Sequence, residues 1–214
     1  MNIDNYDDKS YYINSDFYDL ERIMQLKLYL ITISILALLG SVIFGIVLEI
    51  PFYMSMIIMF VGIIAEIAVD GATAAICRAM PRGVADYTKK IFSVSKREKM
   101  FYERLRIRSW KGKIPEIGHL TGFRKNKIAE PRNPEYIKRF LYEICYGEIG
   151  HTISIFSGCL PILFAIAMPS YLAYGIYIAV VNAVLNLLPV IVLRYNGYYL
   201  TSMFKRLKAK EVRV

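Results

Sequence analysis

Cysteine, histidine and tryptophan are scarce in this sequence. Its 214 residues include three cysteines, two histidines and one tryptophan. Cys77, Cys145 and Cys159 have neither the pairing of a disulfide framework nor the spacing of a zinc site, so neither feature is the basis of the fold. We interpret them as small buried hydrophobic residues, and helical spacing turns Cys145 away from the candidate base described below. His119 lies in a segment broken by glycine and proline and is interpreted as a surface histidine.

Basic residues are missing from two short stretches, around Ile50 and around Pro169, that separate long apolar segments. Hydrophobic residues make up 56% of the chain and charged residues 21%, but the charge is confined to separate blocks, unlike in a soluble domain. Four apolar segments are long enough to cross about 30 Å of hydrocarbon as helices. They cover residues 28–48, 52–77, 149–168 and 171–193. The sequence therefore predicts an all-α polytopic membrane protein with four transmembrane helices arranged as two hairpins.

The positions of lysine and arginine predict the orientation of these spans. Most of them lie between Arg78 and Arg139 or after Leu193, and such clusters stay on the cytosolic side of a membrane. We expect a single domain in the cytoplasmic membrane with both termini in the cytosol. Its parts are an acidic leader (1–27), a first hairpin (28–77), a basic cytosolic or interfacial segment (78–148), a second hairpin (149–193) and a basic tail (194–214).

The basic middle segment is predicted to contain interfacial helices. Residues 96–108 have the pattern of a short amphipathic helix in the headgroup plane, with Trp110 as an interfacial anchor. Asn133 is a candidate N-cap and Pro134 a first helical residue. A longer helix should run from there through His151 into the third span.

The net charge of +9 has three interpretations. Orientation in the membrane and attraction to anionic lipid headgroups explain it most simply. A basic collar for a phosphate-bearing acyl donor such as coenzyme A is the more specific interpretation. Nucleic-acid binding is disfavoured, because the topology accounts for the charge and no nucleic-acid-binding motif is present.

Polar residues recur inside two of the predicted spans. Glu66 and Asp70 are four residues apart on the second span, and Asn182 and Asn186 repeat this spacing on the fourth. Carboxyl groups at such depth usually face a bundle interior or a wet cavity, whereas asparagines often join helices by hydrogen bonds. If all four face His151, they form a polar pocket that opens toward the cytosol.

A candidate base lies where the charged middle segment becomes apolar. In a helix His151 shares a face with Glu148, Gly147 and Glu143. A carboxylate that orients an imidazole makes it a good general base, and this position suggests chemistry on a lipid-like substrate. Gly147 leaves room either for an acyl chain or for close approach of another helix.

Three motifs in order resemble those of a known family. Residues 106–118 resemble the Arg-x-Trp-Lys-x-x-hydrophobic-Pro-Glu-x-Gly signature of the glycosyl-diaponeurosporenoate acyltransferases, small integral-membrane enzymes that complete staphyloxanthin-type carotenoids. Residues 143–152 are similar to the family's Glu-Thr-x-Arg-Ala-Glu-Leu-x-His-Trp element, and residues 188–196 to its Arg-Tyr-Asn ending. Tyr146, Thr152 and Leu193 depart from the pattern, whereas Glu148 and His151 match it.

The resemblance implies transfer of a fatty acyl group from a thioester donor to a sugar hydroxyl on a lipid. His151 would then be the base, with Glu148 or Glu143 fixing its tautomer. The donor, an acyl-coenzyme A or an acyl-carrier thioester, is a co-substrate, so we expect no cofactor and no metal. Arginine and lysine would hold donor phosphate or the oxyanion. The candidate substrate-binding residues are Arg108, Trp110, Lys111, Glu116, Asp70, Asn186, Arg194 and Asn196.

Two other functions stay open at this point. The chain could be a non-catalytic membrane assembly partner in which Glu148 and His151 form a structural pair. It could instead conduct protons or a solute through Glu66, Asp70 and His151, although four spans without an internal repeat disfavour a transporter. Formation of a homo-oligomer is also left open.

Overall fold

The computed structural model describes residues 7–114, 128–166 and 168–212, without the side chains of residues 7–22, 25, 164 and 165. The described residues form helices and no strand, as predicted. The helices are α1 (Asp7–Val47), α2 (Phe52–Ala79), α3 (Lys96–Arg104), α4 (Ile107–Trp110), α5 (Pro134–Ser157), α6 (Leu160–Ile166) and α7 (Leu172–Glu211). Short 3-10 turns lie at Lys90–Phe92, Lys111–Lys113 and Pro169–Tyr171.

Three helices of the described chain are long and apolar enough to cross a membrane: Leu26–Val47, Phe52–Ala79 and Pro169–Glu211. Large apolar side chains on α1 and α2 face outward, as expected for contact with lipid; Ile46, for example, is 74% exposed. At about 1.5 Å per residue α7 is roughly 60 Å long, twice the hydrocarbon thickness. Its basic end therefore extends beyond the apolar layer, and the chain is a membrane protein.

The predicted third span, residues 149–168, is not one continuous helix. It is divided between the end of α5 at Ser157 and the seven-residue α6, which begins at Leu160. The cause is local, because Pro161 has no N–H to donate to the carbonyl of Ser157 and restricts the residue before it. The four-span arrangement of two hairpins is therefore not confirmed.

The first predicted hairpin is present. Glu49, in the connection between α1 and α2, has a left-handed backbone with φ 54°. This conformation lets the N–H of Ile50 bond to the carbonyl of Gly45 at 3.1 Å and ends α1. Buried polar groups fix the packing, since Ser55 Oγ bonds to Ser41 O at 2.7 Å and to Tyr174 OH of α7 at 2.6 Å.

The helices of the middle segment begin as predicted. Ser95 Oγ accepts from Glu98 N at the start of α3, and Asn133 Oδ1 accepts from Glu135 N and Tyr136 N at the start of α5. These bonds are typical N-caps. The amphipathic helix is shorter than the predicted 96–108, because Arg106 has a left-handed backbone (φ 51°) that separates α3 from α4.

Helices α5 and α7 pack against each other in antiparallel orientation and form the centre of the molecule. Contacts run from Ile144 beside Gly197 to Ser154 beside Asn182, so numbers rise on α5 as they fall on α7. A Cβ atom added at Gly147 would lie 2.8 Å from Leu193 Cδ1 of α7. Of the two roles considered for this glycine, the structure shows close helix approach.

Candidate functional site

His151 is held by a chain of hydrogen bonds that joins α5, α7 and α2. Its Nδ1 lies 2.8 Å from Asn186 Oδ1. Asn186 Nδ2 in turn donates to Asp70 Oδ2 at 3.2 Å and to Asn182 Oδ1 at 2.7 Å. Asn186 of α7, itself held by Asn182 of α7 and Asp70 of α2, thus orients the imidazole at the start of the apolar part of α5.

This geometry assigns the tautomer of His151. Because Asn186 uses its amide nitrogen as the donor toward Asp70 and Asn182, its oxygen is the acceptor. The proton must then be on His151 Nδ1, which leaves the lone pair on Nε2. A neutral imidazole with a free Nε2 is the form required of a general base.

The polar residues predicted inside the spans come together here. Asn182 is only 5% exposed, and its Nδ2 donates to Ser154 O of α5 at 2.8 Å. Glu66 lies beside it, since a Cβ atom added at Gly158 would meet both Asn182 Nδ2 and Glu66 Oε1. The break after α5 therefore brings backbone close to these polar groups, and the absence of a side chain at Gly158 makes room for them.

The predicted pairing of Glu148 or Glu143 with His151 is not the pairing that the structure shows. Glu148 Oε2 accepts from Arg194 Nη1 of α7 at 3.0 Å, and Glu143 lies 3.5 Å from Arg78 of α2. Both carboxylates are thus engaged by arginines on neighbouring helices. Sequence spacing on α5 alone could not reveal these partners, nor Asn186, which is 35 residues from His151.

Arg194 is the centre of a second cluster, which includes a residue that the sequence did not suggest. Its guanidinium donates to Glu98 Oε1 at 2.5 Å and Oε2 at 3.0 Å, and to Glu148. It also reaches the backbone carbonyls of Ile91 and Ser93. Every N–H of Arg194 is used, so binding a donor phosphate there would require that one of these bonds be given up.

Glu98 owes its charge state to this cluster. Partial burial by itself opposes ionisation, but hydrogen bonds from Arg194 and Tyr102 outweigh it, and the pKa of Glu98 lies below its usual value. Burial, and then the bond to Glu98, raises the pKa of Tyr102 to about 12. Glu98 is therefore a carboxylate that fastens α3 to α7.

Arg108 of α4 and Lys111 of the following 3-10 turn form a basic cap over α7, and both contact side chains of that helix. Arg108 Nε donates to Tyr195 OH at 2.7 Å and Nη2 to Tyr199 OH at 3.0 Å, yet its side chain is 71% exposed. Lys111 Nζ donates to Asn196 Oδ1 at 3.0 Å. The first and third sequence motifs are thus in direct contact, and they present an exposed basic group.

Three further predicted residues complete the comparison. Trp110 Nε1 donates to Leu105 O at 2.8 Å, and its ring packs on the cluster formed by Tyr102, Ile107 and Tyr195. Glu116 and His119 lie outside the described residues. Among the described residues, no group of three or more histidine, cysteine, aspartate or glutamate side chains could hold a metal ion.

Comparison with known proteins adds the family to this geometry. No curated protein and no solved structure matches the chain. The family model described as glycosyl-4,4'-diaponeurosporenoate acyltransferase matches residues 86–206, which is more than half of the 214 residues. The matched region contains α3, α4, α5, α6 and α7 up to Arg206, and with them His151, Asn186 and the Arg194 cluster, whereas Asp70 lies outside it. The chain therefore belongs to the glycosyl-4,4'-diaponeurosporenoate acyltransferase family of carotenoid-type biosynthesis.

Proposed function

We propose that this acyltransferase moves a fatty acyl group from a thioester donor to a hydroxyl group of a lipid or glycolipid, with His151 as the general base. The observation that carries the proposal is the hydrogen-bond chain from Asp70 through Asn186 to His151 Nδ1. It leaves Nε2 unprotonated and fixes the plane of the ring. A base on α5 beside the apolar part of α7 would suit an acceptor dissolved in the membrane.

The chemical steps balance with these groups alone. His151 Nε2 takes the proton of the acceptor hydroxyl as its oxygen attacks the thioester carbonyl. The tetrahedral intermediate collapses with cleavage of the carbon–sulfur bond, and the imidazolium returns the proton to the leaving thiolate. Asn186 accepts from Nδ1 throughout, and Asp70 Oδ2, behind it, accepts from Asn186 Nδ2 and so keeps the Asn186 oxygen turned toward the imidazole.

Glu148 and Glu143 have a positioning role in this proposal. Glu148 holds Arg194, and through it α3, at a point one helical turn from His151. Glu143 fastens α5 to α2 through Arg78. Both pairs set the distance between the helices that supply Asp70, His151 and Asn186.

The donor would approach the exposed basic cap. Arg108 is tethered by two tyrosine hydroxyl groups while most of its side chain faces solvent, which suits recognition of a phosphate by a preset guanidinium. Lys111 is fixed nearby by Asn196. A phosphate-bearing thioester such as acyl-coenzyme A or an acyl-carrier protein fits this surface. Anionic lipid headgroups are attracted by the same charge.

The test is acyl transfer by the purified full chain in nanodiscs. Labelled palmitoyl-coenzyme A is the donor, and a total lipid extract supplies acceptors. We expect a new labelled lipid whose mass equals an acceptor plus a palmitoyl group, and its loss in folded His151→Ala. His119→Ala is the matched control and should keep the product. Absence of labelled product from coenzyme A and carrier-protein donors with several extracts would refute the proposal.

A further inference from the structure

A small cavity between α1, α2 and α7 lies beside the His151 network and has no part in the steps above. Its volume is about 40 Å³. The lining includes Glu66 and Asp70, which are one helical turn apart on α2. A cavity needs about 10–15 Å³ to hold one water molecule. The space therefore suits a small ion with a little water and is too small for an organic head group.

Two carboxyl oxygens in this lining need a partner. Glu66 Oε1 and Asp70 Oδ1 are buried and have no hydrogen-bond partner among the residues that the structure describes. Glu66 as a whole is only 6% exposed, near the middle of a helix that can span the membrane. Burial of an unpaired carboxylate is costly, and buried charges are normally paired or bind a metal ion. The two oxygens therefore call for a positively charged partner.

The surroundings of these oxygens also favour positive charge. None of the described residues that line the cavity is lysine or arginine. Helix α5 ends next to Glu66, because a Cβ atom added at Gly158, the C-cap of α5, would lie 3.2 Å from Glu66 Oε1. The C-terminal end of a helix has a partial negative charge. Two carboxyl groups and a negative helix end thus converge without a basic side chain in the lining.

The break between α5 and α6 indicates which class of cation fits. In membrane proteins the C-terminal ends of interrupted helices coordinate Na⁺ near the middle of the bilayer. A calcium ion takes six to eight oxygen ligands and a magnesium ion keeps several waters, more than this cavity can supply. Beside the two carboxyl groups, the lining has neutral oxygens only from Tyr29, Tyr177 and Asn182. This ligand set suits a monovalent cation.

We propose that this cavity binds a monovalent cation such as Na⁺ between Glu66 Oε1 and Asp70 Oδ1. The cation satisfies both oxygens at once, whereas a proton on one carboxyl group leaves the other oxygen without a partner. Asp70 Oδ2 meanwhile accepts from Asn186 Nδ2 at 3.2 Å. The cation thus holds Asp70 by its second oxygen and takes no part in making or breaking bonds. The site is independent of the proposed function, because it is defined by binding alone.

The test measures Na⁺ binding without turnover. The full chain is purified in detergent in choline chloride, and binding of radioactive ²²Na⁺ is followed by scintillation proximity. We expect saturable binding that unlabelled Na⁺ displaces and choline does not. The melting temperature should also be higher in sodium chloride than in choline chloride at equal ionic strength, because a ligand of the folded state stabilises it. Absence of saturable binding to the folded wild-type chain would overturn the proposal.

Two glutamates provide a matched pair of variants. Glu66→Gln keeps the shape of the side chain but removes its charge, and should lower the Na⁺ affinity about tenfold or more. It should also abolish the difference in melting temperature between the two salts. Glu211→Gln makes the same change at an exposed site, where Glu211 pairs with Lys208, and should bind Na⁺ as wild type does. If Glu66→Gln does not fold, Asp70→Asn takes its place. Unchanged Na⁺ affinity in the folded cavity variant would contradict the inference.

Failure of this inference can be told apart from failure of the proposed function. Saturable Na⁺ binding by a chain that transfers an acyl group from no donor would refute acyl transfer and leave the cation site standing. Acyl transfer by a chain that shows no saturable Na⁺ binding would refute the cation site and leave acyl transfer standing.

Discussion

The replacement Asn186→Ala is the sharpest perturbation of the proposed base. Asn186 Oδ1 is the acceptor for His151 Nδ1, and Asn186 Nδ2 satisfies Asp70 Oδ2. Loss of this side chain leaves a partly buried donor and a partly buried acceptor unpaired, at a cost of up to about 1–3 kcal/mol for each group. It also removes the preference for the tautomer with a free Nε2.

The kinetic effect of Asn186→Ala follows from that energy. If about 1–3 kcal/mol of orientation is lost in the transition state, kcat should fall roughly 5- to 160-fold. The KM for the acyl donor should stay unchanged, because Asn186 lies apart from the exposed basic cap. If Asn186 served stability alone, Asn186→Ala would lower the amount of folded protein, but the folded fraction would keep the kcat of wild type.

The assay is steady-state acyl transfer in nanodiscs, with the folded fraction measured by thermal unfolding. Val184→Ala, on the exposed side of α7 two residues away, is the matched control and should behave as wild type. Asp70→Asn keeps an acceptor for Asn186 Nδ2 and should lose less activity than Asn186→Ala. A kcat of folded Asn186→Ala within threefold of wild type would refute the assigned role of Asn186.

Three further predictions concern the clusters around the base. Arg194→Met removes the partner of Glu148, whose side chain is only 7% exposed. This substitution should lower the free energy of unfolding, measured by denaturant titration, by about 3 kcal/mol. Adding Glu148→Met should restore part of that loss. The pKa of Glu98 in the folded protein lies below its ordinary 4.5, so ionised Glu98 stabilises the protein above that pH, and this contribution is lost as the pH falls through the lowered pKa. The melting-temperature difference between wild type and Glu98→Gln should therefore be constant above about pH 5 and shrink below pH 4. A difference that grows on acidification would contradict this prediction. Gly158→Ala would drive a Cβ atom into Asn182 and should cost about 1–3 kcal/mol, whereas Gly150→Ala, with nothing within 4 Å of the added Cβ, should be tolerated in the same unfolding experiment.

The elements that local sequence signals define were predictable. The N-cap of α5 at Asn133, the start of α3 and the hairpin between α1 and α2 follow from capping residues, proline and the length of apolar runs. The break in the third predicted span also had a local signal, in Gly158 and Pro161. Average hydropathy over the segment hides that signal, since neither residue is charged.

The partners within the site were not predictable in the same way. His151 was expected to be oriented by carboxylates on its own helix, but its Nδ1 bonds to Asn186 on α7. Glu98, which pairs with Arg194 at a separation of 96 residues, carries no distinguishing pattern in the sequence. Such pairs depend on how α3, α5 and α7 are aligned against one another. The packing of Gly147 against Leu193 is part of this alignment between α5 and α7, and no single segment of the sequence predicts it.

The assignment of His151 as the base of the acyl transfer can be tested by kinetics. Its most direct test is the single-turnover rate constant of folded His151→Ala and of wild type, with saturating labelled palmitoyl-coenzyme A and an acceptor identified from lipid extract. We expect the rate constant of the variant to be about two to four orders of magnitude lower. A rate constant within threefold of wild type would contradict it.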